Sequence, residues 1–396
     1  MNSNIDRLYK IGSKKSRLII GLMSGTSLDG LDIVLCKVTS SGTQTKIALK
    51  AFETVPYSKS LKSKINKVFA KPLVNFASLC ELNAFIGFLH ADMILTCLSK
   101  WKYKPSDIDV IASHGQTVFH GPKTTTKGAK LNSTLQIGDG DHLAQRTGII
   151  TISDFRQKHV AAGGEGAPLA VYGDYLIFSR KGEDRVMINI GGIGNFTYLA
   201  ADCDAKKVFV TDTGPGNTLI DQLSQRYFSK PFDKNAKLAK KGKVNFTLLK
   251  EMKAHAFFRQ KIPKTTGPEL FNLAFVESCQ RASRTTKINP YDLLATITRL
   301  SAESLCDEIK KAVGKKKINA FLSGGGAHNP LMVQWLRELL PNATFANLDT
   351  LGFPGDAKEA ILFAVLANEL LAGGVTDYGK RNKVPSVSMG KVSFPD

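Results

Sequence analysis

Two glycine-rich turns, far apart in the chain, each lie between strand-like apolar runs, and their residue types suit the handling of a nucleotide's phosphates. The first run spans 18–35 and carries Gly25, Thr26, Ser27, Leu28, Asp29, Gly30, Leu31 and Asp32; the second spans 186–199 and carries Gly191 and Gly192. Apolar β-branched residues on both sides of a Gly/Asn/Ser/Thr turn predict hairpins. Glycine lets the backbone approach a phosphate closely, and turn N–H groups can cradle its oxygens. Two hairpins matched in form suggest duplicated halves closing on one nucleotide, with phosphotransfer as the chemistry. The first turn is not a Walker A loop, because Gly21 and Gly25 stand one residue too close and Thr26 occupies the lysine position. It offers the hydroxyls of Ser24, Thr26 and Ser27 and the carboxylates of Asp29 and Asp32. Asp29 could hold Mg²⁺ through water, which that ion retains beside phosphates. Equally, Asp29-Gly30 could be a tight hairpin turn and nothing more.

Other constellations carry candidate roles. Phe209–Asn217 ends a strand on Asp212 and opens a helix after Gly214 and Gly216. Carboxyl ends of strands face the ligand crevice in open α/β sheets, which makes Asp212 the leading candidate for a general base; a turn-capping aspartate beside Gly-Pro is the plainer alternative. Gly324, Gly325 and Gly326 precede Asn329 and Pro330, a good N-cap and first helical residue. Such glycines permit a nucleobase or ribose to lie flat on the backbone, or simply connect strand to helix. Asp154 and Arg156, beside the glycine-rich stretch 161–168, could hold a sugar or an anion. Asp356 and Glu359 have capping-box spacing at the start of the last long helix. His114 follows a strand end and reads as a turn histidine with its hydrogen bonds satisfied.

The elements that must position these residues read as β-β-β-α-β-α-β, a mixed sheet with helices on its faces, and the order recurs in the second half. Residues 17–55 read as strand, glycine turn, strand and a third strand at 46–55; further strands are expected at 109–112 and 149–153, then at 186–191, 195–200, 207–211, 318–323 and 343–347. Helical spacing covers 60–101 and 139–147, then 217–228, 245–258, 269–284, 291–313, 330–340 and 357–372. The chain of 396 residues is long enough for two domains, and 43% hydrophobic with 22% charged residues reads as globular. No apolar run approaches the ~20 residues that span a bilayer. The first sixteen residues are polar and basic without an apolar stretch, which predicts a flexible extension and a cytoplasmic protein. Six scattered cysteines form no CxxC pair, against a zinc site or a disulfide framework. The 54 basic against 34 acidic residues give +20, but the lysine clusters at 237–241, 310–311 and 315–317 lack interleaved aromatics. They read as solvated surface, without a specific nucleic-acid partner and without a membrane.

The blocks GLMSGTSLDGLD (21–32), SHGQT (113–117), SDFR (153–156), GGEGAPL (163–169), NIGGIGN (189–195), DTGPGN (212–217), PKTTG (263–267), GGGAHNP (324–330) and GDAKEA (355–360) occur in this order. In this the chain resembles the anhydro-N-acetylmuramic acid kinases, from about residue 17 onward. The resemblance implies an α/β fold of two ribonuclease-H-like domains of the actin/Hsp70/sugar-kinase type, with an interdomain active-site cleft. The first domain would cover 17–150 plus about 375–396, the second 151–374, with 1–16 as the flexible extension. It implies ATP and Mg²⁺ as cofactors, and ATP binding by residues 25–32, Gly191, Gly192, Gly324, Gly325, Gly326 and Asn329, with the metal at Asp29. It implies Asp212 as catalytic base and Glu359 in contact with the reacting sugar, against the capping-only reading. Asp154, Arg156, Gly214 and Asn217 would complete the sugar site. The implied reaction opens 1,6-anhydro-N-acetylmuramic acid with water and phosphorylates O6 in peptidoglycan recycling. Glu165 stands where the family commonly has glutamine, and Pro268 where arginine is common. The related levoglucosan kinases share the core motifs, so another 1,6-anhydrosugar is the alternative substrate. A homodimer is carried over only by analogy.

Overall fold

A computed structural model describes residues 2–124, 126, 128–381 and 384–396. The chain divides into two compact units, one made of Met1–Phe178 with Asp356–Asp396, the other of Ser179–Gly355.

The first unit is built on β1 (Ser16–Ser24), β2 (Gly30–Thr39), β3 (Lys46–Pro56), β4 (Val110–Gly121), β5 (Ser133–Ile137) and β6 (Thr151–Ser153). Among the described residues they form a seven-stranded sheet in which Lys391–Ser393, β6, β4, β1, β2 and β3 lie in that order and β5 pairs with β4. β1, β2 and β3 form an antiparallel meander, while β1–β4 and β4–β6 are parallel. β1 is buried on both faces, hence its unbroken apolar run. Ile20 and Leu22 face a core shared with Leu82, Ile86 and Ile94 of the helix Phe76–Lys100. The opposite face of β1 meets the helix Lys358–Ala372, and a Cβ on Gly21 would lie 2.1 Å from the Ala360 carbonyl oxygen. Gly21→Ala is therefore expected to cost about 1–3 kcal/mol by overpacking. A lower urea midpoint at unchanged slope would register it; an unchanged midpoint would show that the helix yields freely.

The helix Phe76–Lys100 has 25 residues and is long and apolar enough, by length and composition, to cross a membrane, contrary to the expectation that no run would be. Asn75 caps the helix, and Leu82, Ile86, His90, Ala91, Ile94 and Leu98 are buried in the first unit's core. It reads as a core helix.

The expected flexible extension is instead a helix, Ser3–Ser13, capped by the Asn2 side chain. The buried Arg17 guanidinium donates to the carbonyls of Ile11 and Gly12 and to Asn368 Oδ1. Asn4 Nδ2 donates to the Pro395 carbonyl at 2.7 Å. Few apolar residues signal this helix because only Ile11 is buried; backbone carbonyls taken by one arginine hold it. The expected domain limits also shift. Residues 151–178 and 356–374 belong to the first unit, because β6 pairs with β4 and the helix Lys358–Ala372 covers β1. Lys391–Ser393 returns to pair with β6, while residues 382 and 383 of that C-terminal segment lie outside the described residues.

The second unit repeats the plan with β7 (Arg185–Ile190), β8 (Ile193–Leu199), β9 (Phe209–Pro215), β10 (Ile318–Ser323) and β11 (Ala343–Asn347), in the order β11-β10-β7-β8-β9. β7, β8 and β9 form an antiparallel meander; β10 is parallel to both β7 and β11. The helix Pro290–Val313 runs through its core, burying Leu293, Leu294, Ile297, Leu300, Leu305 and Ile309. Each unit thus has an antiparallel meander whose first strand continues into parallel strands, the mixed α/β arrangement expected of ribonuclease-H-like domains.

Candidate active site

In the first unit the turn between β1 and β2 is tightened by the Leu28 N–H, which donates to the Gly25 carbonyl at 3.3 Å. Leu28 takes a left-handed conformation, φ 59°, and buries its side chain, so the turn's backbone faces outward while the leucine anchors it. Gly30 begins β2 where a Cβ would lie 2.4 Å from the Val55 carbonyl oxygen, so no larger residue fits. Asp29 is exposed, with Lys62 Nζ 4.0 Å away. Asp32 accepts from Thr54 Oγ1 at 2.6 Å. Burial raises the Asp32 carboxyl above its ordinary range, and the negative charges of Asp356 and Asp29 add to this.

A buried relay supports this turn from behind. Ser24 donates to Gln116 Oε1, Tyr57 donates to Ser24 Oγ at 2.9 Å, and His90 Nε2 lies 2.7 Å from the Tyr57 hydroxyl. Gln116 Nε2 donates to the carbonyls of Gly25 and Thr117. The Tyr57 proton goes to Ser24, which makes His90 Nε2–H the donor to Tyr57. Burial pushes the imidazole down to about 3, consistent with that neutral tautomer. Sequence reading singled out Ser24 and the 113–117 block but missed Tyr57 and His90; an isolated tyrosine and a helix histidine have no spacing that marks them.

Asp154 and Arg156 flank the end of β6. Asp154 is left-handed, φ 57°, and receives Ser153 Oγ–H and Lys391 Nζ, both at 3.3 Å. Arg156 donates from Nε to His114 Nε2 at 2.8 Å and from a terminal nitrogen to the Gly166 carbonyl at 2.8 Å. His114 is buried and is held neutral, first by desolvation and then by the Arg156 charge. It therefore orients the guanidinium rather than merely closing a turn.

Glu359 lies in the first turn of the helix Lys358–Ala372. The capping box does not form: Gly355–Ala357 makes a 3-10 turn and the helix starts one residue later than that box requires, with Ala357 as a cap lacking a side-chain bond. Glu359 is thereby not committed to the helix end. Glu359 is exposed, and partial desolvation by the surrounding protein raises its carboxyl above the ordinary range. The positive charges of Arg156 and Lys358 pull the other way. Lys358 is itself bound to the buried Asp174 at 2.8 Å.

In the second unit the β7–β8 turn is pinned from the β9 side. The N–H groups of Gly216 and Thr218 donate to the Gly192 carbonyl, that of Asn217 to Gly191, and Asn217 Nδ2 to Ile190. Gly324, φ 78°, packs where a Cβ would lie 2.7 Å from Asn189 Oδ1 and from the Ile190 carbonyl oxygen. Gly325 lies against the Asn217 amide. Gly191, Gly192, Asn217 and Gly324–Gly326 are thus brought together at the ends of β7 and β10. Asn329 caps its helix through Oδ1, which accepts the Met332 N–H at 3.0 Å.

Asp212, on β9, is half-buried. Its backbone N–H donates to the Lys264 carbonyl, and its Oδ2 accepts the Thr266 N–H at 2.9 Å. Desolvation raises its pKa; the Thr266 bond lowers it and the Glu269 charge raises it. This carboxylate keeps its second oxygen for other chemistry; Asp212 itself stands in the middle of β9, because pairing with β8 carries the strand on to Pro215 where the sequence suggested that it ends. Of the expected site residues, Gly25–Asp32, Asp154, Arg156 and Glu359 lie in the first unit, and Gly191, Gly192, Asp212, Gly214, Asn217, Gly324–Gly326 and Asn329 in the second. No group of three or more His, Cys, Asp or Glu side chains suited to a metal occurs among the described residues.

Residues 17–377 match the family model for anhydro-N-acetylmuramic acid kinase. The anhydro-N-acetylmuramic acid kinase of Pseudoalteromonas atlantica is 50% identical over 401 residues, which covers 100% of each chain. That of Pseudoalteromonas translucida is 50% identical over 402 residues, again covering 100% of each. The corresponding kinase of Caldanaerobacter subterraneus is 41% identical over 397 residues, 98% of this chain and 100% of its own. Matching at this identity from one end of the chain to the other leaves one assignment: the protein belongs to the anhydro-N-acetylmuramic acid kinase family.

Proposed function

We propose that this protein uses ATP to convert 1,6-anhydro-N-acetylmuramic acid and water into N-acetylmuramate 6-phosphate and ADP, in the cytoplasmic recycling of peptidoglycan. The observation that carries the reading is the family match across residues 17–377. In the reaction, water attacks C1, the C1–O6 bond breaks, and O6 takes the γ-phosphoryl group as ADP leaves. Asp212 accepts a proton from the attacking water, a role its half-buried, singly bonded carboxylate supports. Glycoside cleavage normally needs a second carboxyl group to protonate the leaving oxygen. Here phosphorus captures that oxygen, so no general acid is required. Glu359 and Arg156 orient sugar and water, with Asp154, Gly214 and Asn217 completing the sugar contacts. The turn 25–32 and Gly191–Gly192 hold the phosphates, and Gly324–Gly326 with Asn329 the adenosine.

Mg²⁺ fits the acidic side of the first turn. Asp29, exposed on that turn, would hold the ion through water, with the nucleotide's phosphates rather than a closed set of protein carboxylates supplying the inner ligands. When bound, the ion neutralises charge on the transferring phosphoryl group.

Purified protein with Mg·ATP is expected to release ADP with 1,6-anhydro-N-acetylmuramic acid, and to stop when Mg²⁺ is withheld. In labelled water the oxygen entering C1 comes from solvent. Turnover of levoglucosan in preference would move the substrate. ADP release with N-acetylglucosamine and no solvent oxygen at C1 would replace the anhydrosugar reaction with ordinary hydroxyl phosphorylation.

A further inference from the structure

The helix Pro290–Val313 carries a buried charge that the proposed reaction does not use. Glu308 has 1% of its side chain exposed and receives Lys264 Nζ at 2.7 Å, from a side chain only 2% exposed. Lys264 also donates to the Phe257 carbonyl at 3.0 Å, and its ammonium lies 4.3 Å from the centre of the Phe257 ring. Lys311 reaches the same Glu308 oxygen at 2.8 Å from the surface. The other carboxylate oxygen, Oε2, is buried without a hydrogen bond.

As a source of stability this arrangement is poor. A buried ion pair is often matched or exceeded by apolar residues of similar volume, and an unpaired carboxylate oxygen adds to the cost. What the pair does is fix a backbone. Lys264 N–H donates to Thr211 Oγ1 at 3.0 Å, the Lys264 carbonyl accepts the Asp212 N–H at 2.9 Å, and two residues on the Thr266 N–H holds the Asp212 carboxylate. The segment 263–267 is thus clamped to the Asp212 backbone on one side and to its carboxylate on the other. The Lys264 side chain ties it to the core through Glu308 and the Phe257 carbonyl. The same helix touches the loop after Asp212 again, where Ser301 Oγ donates to the Gly216 carbonyl at 2.9 Å.

We infer that Lys264 and Glu308 are positioning residues for Asp212, an inference that rests on the base role proposed for Asp212 above. The rigid helix fixes Glu308, Glu308 fixes Lys264, and Lys264 sets where the Thr266 N–H meets the carboxylate. Lys264 touches neither sugar nor ATP in this scheme. The groups bearing on Asp212 are the Thr266 N–H and the Glu269 carboxylate from the 263–269 segment, with uncharged Asn195 opposite it on β8. The Thr266 bond favours the ionised base. If the segment drifts, that bond is lost while the desolvation that already raises the carboxyl remains, so Asp212 binds its proton at higher pH.

The test compares Asp212→Asn, Lys264→Met and Glu308→Gln, each as the full chain with 1,6-anhydro-N-acetylmuramic acid and Mg·ATP. Lys264→Met leaves Glu308 with Lys311 as a partner and is expected to lower kcat by about 10²-fold through misplacement of the base, with KM for ATP unchanged. The acid limb of its kcat/KM profile moves to higher pH. Glu308→Gln keeps an acceptor oxygen for Lys264 and is expected to move both quantities less, in the same direction. Wild-type turnover by Asp212→Asn would remove the base role itself. A crippled Asp212→Asn beside Lys264→Met and Glu308→Gln enzymes with wild-type kcat and acid limb would overturn the positioning role alone. So would activity lost only in proportion to the folded fraction, with the acid limb in place. Should Lys264→Met fail to fold, the acid limb of Glu308→Gln decides.

Discussion

Asp212→Asn is expected to lower turnover of the anhydrosugar by about 10²-fold or more while ATP still binds. The substitution keeps the size of the side chain and an oxygen able to accept the Thr266 N–H, so β9 and the 263–267 segment stay in place. It removes only the capacity to take a proton at neutral pH. ATP affinity, read by calorimetry, is expected to stay within a few-fold of wild type, because the β7–β8 turn is pinned through Gly216, Asn217 and Thr218, and the 25–32 turn by its own Leu28–Gly25 bond, rather than through Asp212. Turnover near the wild-type value would end the base role. Loss of ATP binding along with turnover would mean that the residue organises the nucleotide turns instead.

The second large effect is expected at Arg156. Arg156→Met removes the positive charge that opposes desolvation at Glu359 and leaves His114 Nε2 without its donor. Glu359 is already raised above its ordinary range, so losing Arg156 raises it further. The ionised form then disappears at a higher pH on acidification, and the acid limb of the rate profile moves up. With sugar orientation also lost, kcat/KM for the sugar is expected to fall by about 10²-fold, mostly at constant KM for ATP. An unmoved acid limb with an unchanged sugar KM would separate Arg156 from both Glu359 and the substrate.

Hairpins β1–β2 and β7–β8 were legible because apolar runs and glycine turns act locally. So were β10 and β11, as short apolar runs bounded by turn residues, and the Asn329 cap before Pro330. What escaped depends on partners distant in sequence. β4 continues to Gly121 where Ser113–Thr117 reads as loop, because Gln116 is buried by its bonds to Ser24 and Gly25, and β5 then pairs alongside it. Asp356 and Glu359 have capping spacing, yet the 3-10 turn at Gly355–Ala357 moves the helix start past that register. Lys264 looked like one more basic residue among 54, and only its burial against Glu308 sets it apart. The division at Phe178 and Asp356 could not be read locally either, since it follows from strand pairing and from the helix over β1.

That division bears on synthesis. The second unit is one continuous stretch, Ser179–Gly355, and every strand of its sheet has been synthesised before the final helix is made. The first unit begins earlier but stays uncovered along β1, at Gly21, until Lys358–Ala372 arrives, and β6 waits longer for Lys391–Ser393. The part begun first is therefore completed last. Joining Asp396 to the amino terminus, whose Asn4 already bonds Pro395, and opening the chain between Phe178 and Ser179 would make both units continuous. Such a permuted chain shortens the sequence separation of the contacts between β1 and its covering helix, and is expected to refold faster than the natural order.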